Sequence, residues 1–293
     1  MLTIFSTAKP FKGHAAIIQR NAITSWTLLH PRPEIVLFGD EEGAAEICRE
    51  LKLRHIPNVA LNEFGTPLLN DLFENAQRLA THDLLCYVNA DIILMSDFLP
   101  AIARVSQSFE HYLMIGHRWD VAIGRPLGFR EPHWEEHLRK VTERAGQLTA
   151  LEVSDYFAFR KGMFTDIVPF AIGRGHWDRW LIWFARCHHA AIVDASPAVT
   201  VVHQWHDYSH VSGGGQVFPE NEEWQRNQRL LGGWNALDSI AFATHYLTPH
   251  GLRRAWVRPH LARLKRRLRY QIYYPLLTWT RPVRHRLGIR REA

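Results

Sequence analysis

Short apolar runs alternate with amphipathic stretches over the first ninety residues. Thr3–Thr7, Ile35–Phe38 and Leu53–Val59 read as strands. Ile18, Ala22, Trp26 and Leu29 recur at helical spacing, in a helix from His14 that Pro31 and Pro33 end. Glu41 and Glu42 start an acidic first turn, with Ala44, Ile47 and Leu51 on one face. Thr66 suits an N-cap and Pro67 a first helical position, ahead of Leu68, Leu72, Ala76 and Leu79. A fourth strand begins at Leu84. Strand–helix alternation of this kind predicts parallel crossovers. The expected fold is therefore α/β, a doubly wound, mostly parallel sheet flanked by helices.

The stretch Leu84–Leu94 organises this pattern. Its first half is continuously apolar, as a strand buried on both faces of a parallel sheet reads. It then breaks into Asn89-Ala90-Asp91. A carboxylate amid such hydrophobicity is costly to bury unless it is paired, hydrogen-bonded or metal-bound. At the carboxyl end of a central strand it would lie where open α/β sheets bind ligands. The expectation is that Asp91 holds a divalent cation and the cation holds a diphosphate. No G-x-G-x-x-G follows the first strand and no P-loop motif is present, which argues against dinucleotide and P-loop readings.

The second half is less regular. Ser96–Phe109 and the charged stretch Glu131–Gln147 read as helices, and Tyr112–Gly116 as a strand leading to His117-Arg118-Trp119-Asp120. Ser154-Asp155 precede an aromatic strand, Tyr156–Phe159. Gly173–Asp178 is a turn opening a helix through Trp183. Ala190–Val193 and Val199–Val202 read as late strands, the latter ending in His203, with His206 and the Gly213–Gly215 run beyond.

With 293 residues, 46% of them hydrophobic, the chain can bury a sizeable core. The eleven Trp suit sugar-face stacking and a large core equally. Three widely spaced cysteines make no zinc or disulfide pattern and fit a reducing, cytoplasmic compartment. Neither a signal peptide nor a membrane-spanning run is read from the chain. The net charge of +6 is unevenly spread. From Arg253 onward there are 13 Lys/Arg against one acid, so the preceding 252 residues carry a net −6. The basic balance belongs to a tail, and no nucleic-acid partner is expected of the body.

These residues together resemble the GT-A class of nucleotide-sugar glycosyltransferases over roughly residues 1–235. The resemblance implies a nucleotide-binding half (1–95), an acceptor half (96–250) and an added basic segment (251–293). It also implies a nucleotide-sugar donor and a glycan, lipid-linked or small-molecule acceptor. In that class the α/β half ends in a DXD motif. Here Asn89-Ala90-Asp91 stands in its place, with Asn for the first acid and the final, metal-touching Asp retained.

Mn²⁺ and Mg²⁺ take oxygen ligands and substrate phosphates, and Mn²⁺ also accepts imidazole. Asp91 fits the first role; strand-end capping is its structural alternative. The class often places a metal-binding His after a late strand, as Val-Val-His does at His203, and His206 could serve instead. Surface or hydrogen-bonding roles compete for both. The Gly213–Gly215 run could form a lid over the diphosphate, or a plain loop.

Displacement at an anomeric carbon needs a carboxylate to take the acceptor's proton. Asp178 is the candidate, against an N-cap role, and its use implies inversion. Asp155 could bind sugar hydroxyls or the acceptor, or start a turn. By position in the class, Thr7, Ala8 and Lys9 would border base and ribose. Asp40 would accept from a base N–H, and Asn70 would approach the nucleotide.

Leu252–Leu268 interleaves leucines and Trp256 with arginines, and Tyr270–Thr280 adds aromatics. Such a basic amphipathic segment suits peripheral contact with an anionic membrane, or an ordinary helix packed on the body. Two rival functions remain. One is a metal-dependent hydrolase or phosphoesterase using His203, His206, Asp207 and His210. The other is a non-catalytic membrane-surface binding protein.

Overall fold

A computed structural model describes residues 1–206 and 221–268. Asp207, His210, the Gly213–Gly215 run and the aromatic part of the tail lie outside the described residues.

The first half alternates as the pattern predicts. In order come β1 (Leu2–Thr7), α1 (Gly13–Thr27), β2 (Glu34–Phe38), α2 (Ala44–Leu51), β3 (Arg54–Ile56), α3 (Leu69–Leu79) and β4 (Leu84–Val88). There follow β5 (Ile92–Ile93), α4 (Phe98–Ser108), β6 (Tyr112–Ile115), β7 (Trp119–Val121), α5 (Trp134–Ala145), β8 (Gln147–Leu148) and β9 (Tyr156–Arg160). The chain continues through α6 (Trp177–Cys187), β10 (Ala191–Asp194), β11 (Val202–Gln204), α7 (Glu222–Leu230), β12 (His245–Thr248), β13 (Gly251–Arg254) and α8 (Arg258–Arg267).

Among the described residues nine strands form one sheet in the order β13-β12-β10-β6-β9-β4-β1-β2-β3. Every pairing is parallel except those of β9 with β4 and β6, and of β13 with β12. A smaller sheet, β5-β11-β7-β8, stands beside it.

Both faces of the large sheet are covered, which explains the unbroken apolar runs. Successive residues of β1 show the division. Ile4 joins Trp26 of α1, Ile47 of α2 and Ile102 of α4 on one face. Phe5 joins Phe73 of α3 and Leu181 of α6 on the other. There Phe73 stacks on Phe159, ring centroids 5.7 Å apart and planes 9° apart. All three cysteines are free thiols. No helix among the described residues is long and apolar enough to cross a membrane.

Several boundaries differ from the pattern. Thr66 does not cap α3, which starts at Leu69 after the extended Leu68. Pro67 and Leu68 instead bridge Leu61 and Ala171. The Asn62 side chain explains this, since its Oδ1 accepts from the N–H groups of Phe64 and Thr66 and forms a local turn. Helix α2 opens at Ala44, after Gly43 at φ 87°, so Glu41 and Glu42 precede it. His203 lies within β11 rather than beyond a strand ending at Val202. The basic segment after residue 250 starts as β13 on the large sheet and is helical only from Arg258.

Candidate functional site

Strand β4 ends at Val88, and Asn89–Ile92 forms a tight turn in which the Ile92 N–H donates to the Asn89 carbonyl, at 3.1 Å. The chain leaves the turn as β5 in the smaller sheet. Asp91 thus falls at the carboxyl edge of the large sheet, where one sheet gives way to the other. Helix α1 fixes this turn from below. Trp26 Nε1 donates to the Ile92 carbonyl at 2.8 Å. Gln204 Nε2 donates to the Asp91 carbonyl at 3.1 Å, while Asn21 Nδ2 donates to Gln204 Oε1 at 2.9 Å.

The smaller sheet brings two histidines to the same carboxylate. His206 Nε2 lies 3.1 Å and His203 Nε2 3.6 Å from Asp91 Oδ2. The ligand atoms of the three residues lie within 4.8 Å of one another. The other oxygen, Asp91 Oδ1, is buried with no hydrogen-bond partner among the described residues. One carboxylate and two imidazoles on one side, with an unsatisfied buried oxygen, fit a divalent cation of the Mn²⁺ kind. Burial alone would raise the Asp91 carboxyl. Hydrogen bonds from His203 and His206, with the charges of His203 and Lys9, outweigh it and hold Asp91 well below the usual carboxylate range.

Strands β7 and β11 pair in parallel with Asp120 opposite His203. His203 Nδ1 lies 2.8 Å from Asp120 Oδ1, which also accepts from Arg118 Nε at 3.0 Å. Burial opposes the charged imidazole, but the bonds to Asp120 and Asp91 raise His203 to about 9. Arg118 Nη1 reaches on to Asp155 Oδ2 at 2.7 Å, and Asn89 Nδ2 donates to Asp155 Oδ1 at 2.6 Å. Asp155 thus has both oxygens engaged and sits at the centre of a buried network. Asp120 and Arg118 carry no role from the sequence; their sole signal was a polar cluster after a short strand.

Around this centre lies a cleft of about 540 Å³. Thr7, Ala8, Lys9, Asn89, Asp91 and Asp155 line it, as do Asp178, His203 and His206. Asp40 and Asn70 are not among the lining residues. Asp40 is exposed, and Asn70 lies in the first turn of α3 with its Oδ1 buried and without a hydrogen-bond partner among the described residues.

Lys9, Arg118 and Arg174 stand in the lining beside the carboxylates Glu41, Asp91, Asp155 and Asp178. Burial pushes the Lys9 ammonium down, Asp91 pulls it up, and Arg174 pushes it down again. Its backbone is clamped by Gln19, whose Oε1 accepts from the Lys9 N–H and whose Nε2 donates to the Lys9 carbonyl. The Oγ atoms of Thr7 and Ser154 are buried and unpartnered among the described residues.

Trp177 and Trp224 add aromatic surface. Gly175 comes so close to Trp224 that a Cβ there would stand 2.9 Å from Nε1, and its φ of +76° favours glycine in any case. Asp178 lies in the first turn of α6. The N-cap position is His176, and the Asp178 carboxylate, two residues on, accepts from the backbone N–H groups of Arg179 and of Asp178 itself. Burial and the nearby Asp155 raise its carboxyl to about 6, against hydrogen bonding from the Arg179 N–H.

No protein-family model matches the chain, and no curated protein matches it. Among solved structures, glucosyl-3-phosphoglycerate synthase from Mycobacterium tuberculosis, in complex with Mn²⁺, UDP and phosphoglyceric acid, is 16% identical. The match covers 70% of this chain and 71% of that one, with a TM-score of 0.45. S. aureus TarS 1-349 in complex with UDP-GlcNAc is 13% identical over 80% of this chain and 72% of that one, TM-score 0.49. The mannosyltransferase PcManGT from Pyrobaculum calidifontis, with GDP-Man and Mn²⁺, is 13% identical over 69% and 56%, TM-score 0.41. Likeness at this level leaves the chemistry to the residues of the cleft.

Proposed function

We propose that the protein is a metal-dependent glycosyltransferase that moves a sugar from a nucleotide-diphospho-sugar to a hydroxyl acceptor. One observation carries this reading. His203 Nε2 and His206 Nε2 converge on a single oxygen of Asp91, at the carboxyl end of β4, in a cleft that Lys9 also lines.

A divalent cation held by Asp91, His203 and His206 would neutralise charge on the departing diphosphate. Lys9 favours an anionic ligand beside it, while Arg118 and Arg174 are already engaged by Asp120, Asp155 and Glu223. Thr7, Ala8 and Lys9 would border the nucleotide, while Asp40 and Asn70 would approach it from outside the lining. Trp224, partly exposed, offers a face for stacking, whereas Trp177 is buried against Tyr87 and Phe157. Asp178, with its carboxyl raised toward neutrality, is suited to take the acceptor's proton. Direct transfer with that base inverts the anomeric carbon. Asp155, committed to Asn89 and Arg118, is better suited to hold the turn than to move a proton.

A thermal-shift screen of nucleotide sugars with and without Mn²⁺ tests the reading. A melting-temperature rise that needs cation and nucleotide sugar together is expected; no shift from any pair would contradict it. Release of free sugar at an undiminished rate, whatever acceptor is supplied, would favour the hydrolase instead.

A further inference from the structure

Helix α8 is tied down along one side and bare along the other. Arg258 Nη1 donates to Asp194 Oδ2 at 2.9 Å, and Arg266 Nη1 to Asp238 Oδ1 at 2.6 Å. On the far side, Val257, Leu261, Leu264 and Leu268 recur four, three and four residues apart, which aligns them in one stripe. They are 66%, 50%, 53% and 48% exposed, and Trp256 beside them is 66% exposed. Arg253, Arg254, Arg263 and Lys265 flank the stripe and are also exposed. The Arg254 guanidinium lies 4.3 Å from the Trp256 ring centroid.

Charge chooses among the possible occupants. No Asp or Glu occurs between Asp238 and Glu292. A second copy seated symmetrically on this face would set basic flank against basic flank. Residues 269–291 carry six more arginines and no acid, so they cannot neutralise the basic flanks, and the uncharged aromatic run Tyr270–Thr280 adds to the apolar character of the segment. A surface with negative headgroups over an apolar layer matches both the flanks and the stripe.

We propose that α8 docks the protein on an anionic lipid bilayer. Its apolar stripe enters the boundary between headgroups and acyl chains, and the flanking Arg and Lys meet lipid phosphates. The placement favours work at that surface. Asp194 ends β10, which runs parallel to β4, so α8 is anchored at the same sheet edge that carries Asp91. The docking itself does not depend on the chemistry of the cleft.

Co-sedimentation of the full chain with phosphatidylcholine vesicles, with and without phosphatidylglycerol, tests the proposal. Binding should appear with the anionic vesicles and weaken with salt. Joint Leu261→Gln and Leu264→Gln substitution should reduce it by about tenfold or more, with circular dichroism and melting temperature unchanged. Arg263→Gln with Lys265→Gln should reduce it and flatten its salt dependence. Absence of binding by the unaltered chain to either vesicle would overturn the proposal, as would full binding by the Leu261/Leu264 variant. Light scattering that shows a dimer, lost in that variant, would assign the face to a second copy and likewise overturn it.

Discussion

His203 and Asp120 face each other across the β7–β11 ladder, with Nδ1 2.8 Å from Oδ1. This contact fixes the ring so that Nε2 points at Asp91, as a carboxylate behind a histidine ligand does in many metal sites. Asp120→Ala should therefore weaken Mn²⁺ binding by about 10–100-fold, although Asp120 is not itself a ligand. Electron paramagnetic titration of free Mn²⁺ measures this. Unchanged affinity would show that the ring is held by other means.

Asp178 gives the reaction a pH signature. The base acts only when ionised, so turnover should rise with pH through about 6 and level off above it. Asp178→Asn should remove turnover and leave nucleotide affinity nearly unchanged. Equal loss of both would reassign the residue to binding.

The same shift has a consequence for folding. A carboxyl raised on folding costs nothing while it is protonated below its unfolded value, and opposes folding increasingly as pH climbs from there through about 6. Asp178→Asn should thus stabilise the protein at neutral pH, by on the order of 1–3 kcal/mol, and the gain should vanish near pH 3–4. Chemical denaturation at the two pH values makes the comparison. A constant difference would point to altered packing instead.

Gly175 is a steric test of the aromatic wall. Alanine there would place a Cβ against the Trp224 indole at a φ unfavourable to side chains. A loss of roughly 1–2 kcal/mol is expected, together with weaker nucleotide-sugar binding. Melting and calorimetry together read both effects.

Asp238 joins the ends of α6 and α8. Its carboxylate is fully buried between Arg186 and Arg266. Asp238→Ala would leave two guanidiniums facing each other and should cost roughly 3–5 kcal/mol. Thermal denaturation checks this.

The sequence made the βα alternation legible because its apolar runs are continuous and its helices amphipathic. Asp91 stood out for the same reason, as a charge where the strand's hydrophobicity broke. Asp120 did not. It meets His203 only through the register of two three-residue strands 83 positions apart, and no local pattern encodes that pairing. The same short ladder explains why the apolar run Val199–Val202 places His203 past the end of a strand that in fact contains it. Arg118 was hidden likewise, since its partners Asp120 and Asp155 come together only when both sheets are in place. Thr66 misled because an N-cap signature and a side-chain turn use the same residue types.

All of the proposed chemistry depends on Asp91, with two histidines, holding a cation to which the diphosphate binds. Calorimetric titration of UDP and GDP into the protein, with Mn²⁺ and then with EDTA, tests it most directly when repeated on Asp91→Ala. Tight binding of at least one of the two nucleotides is expected with Mn²⁺, lost with EDTA and lost in the variant while its circular dichroism stays unchanged. Equal nucleotide affinity with and without metal, or in the variant, would contradict it.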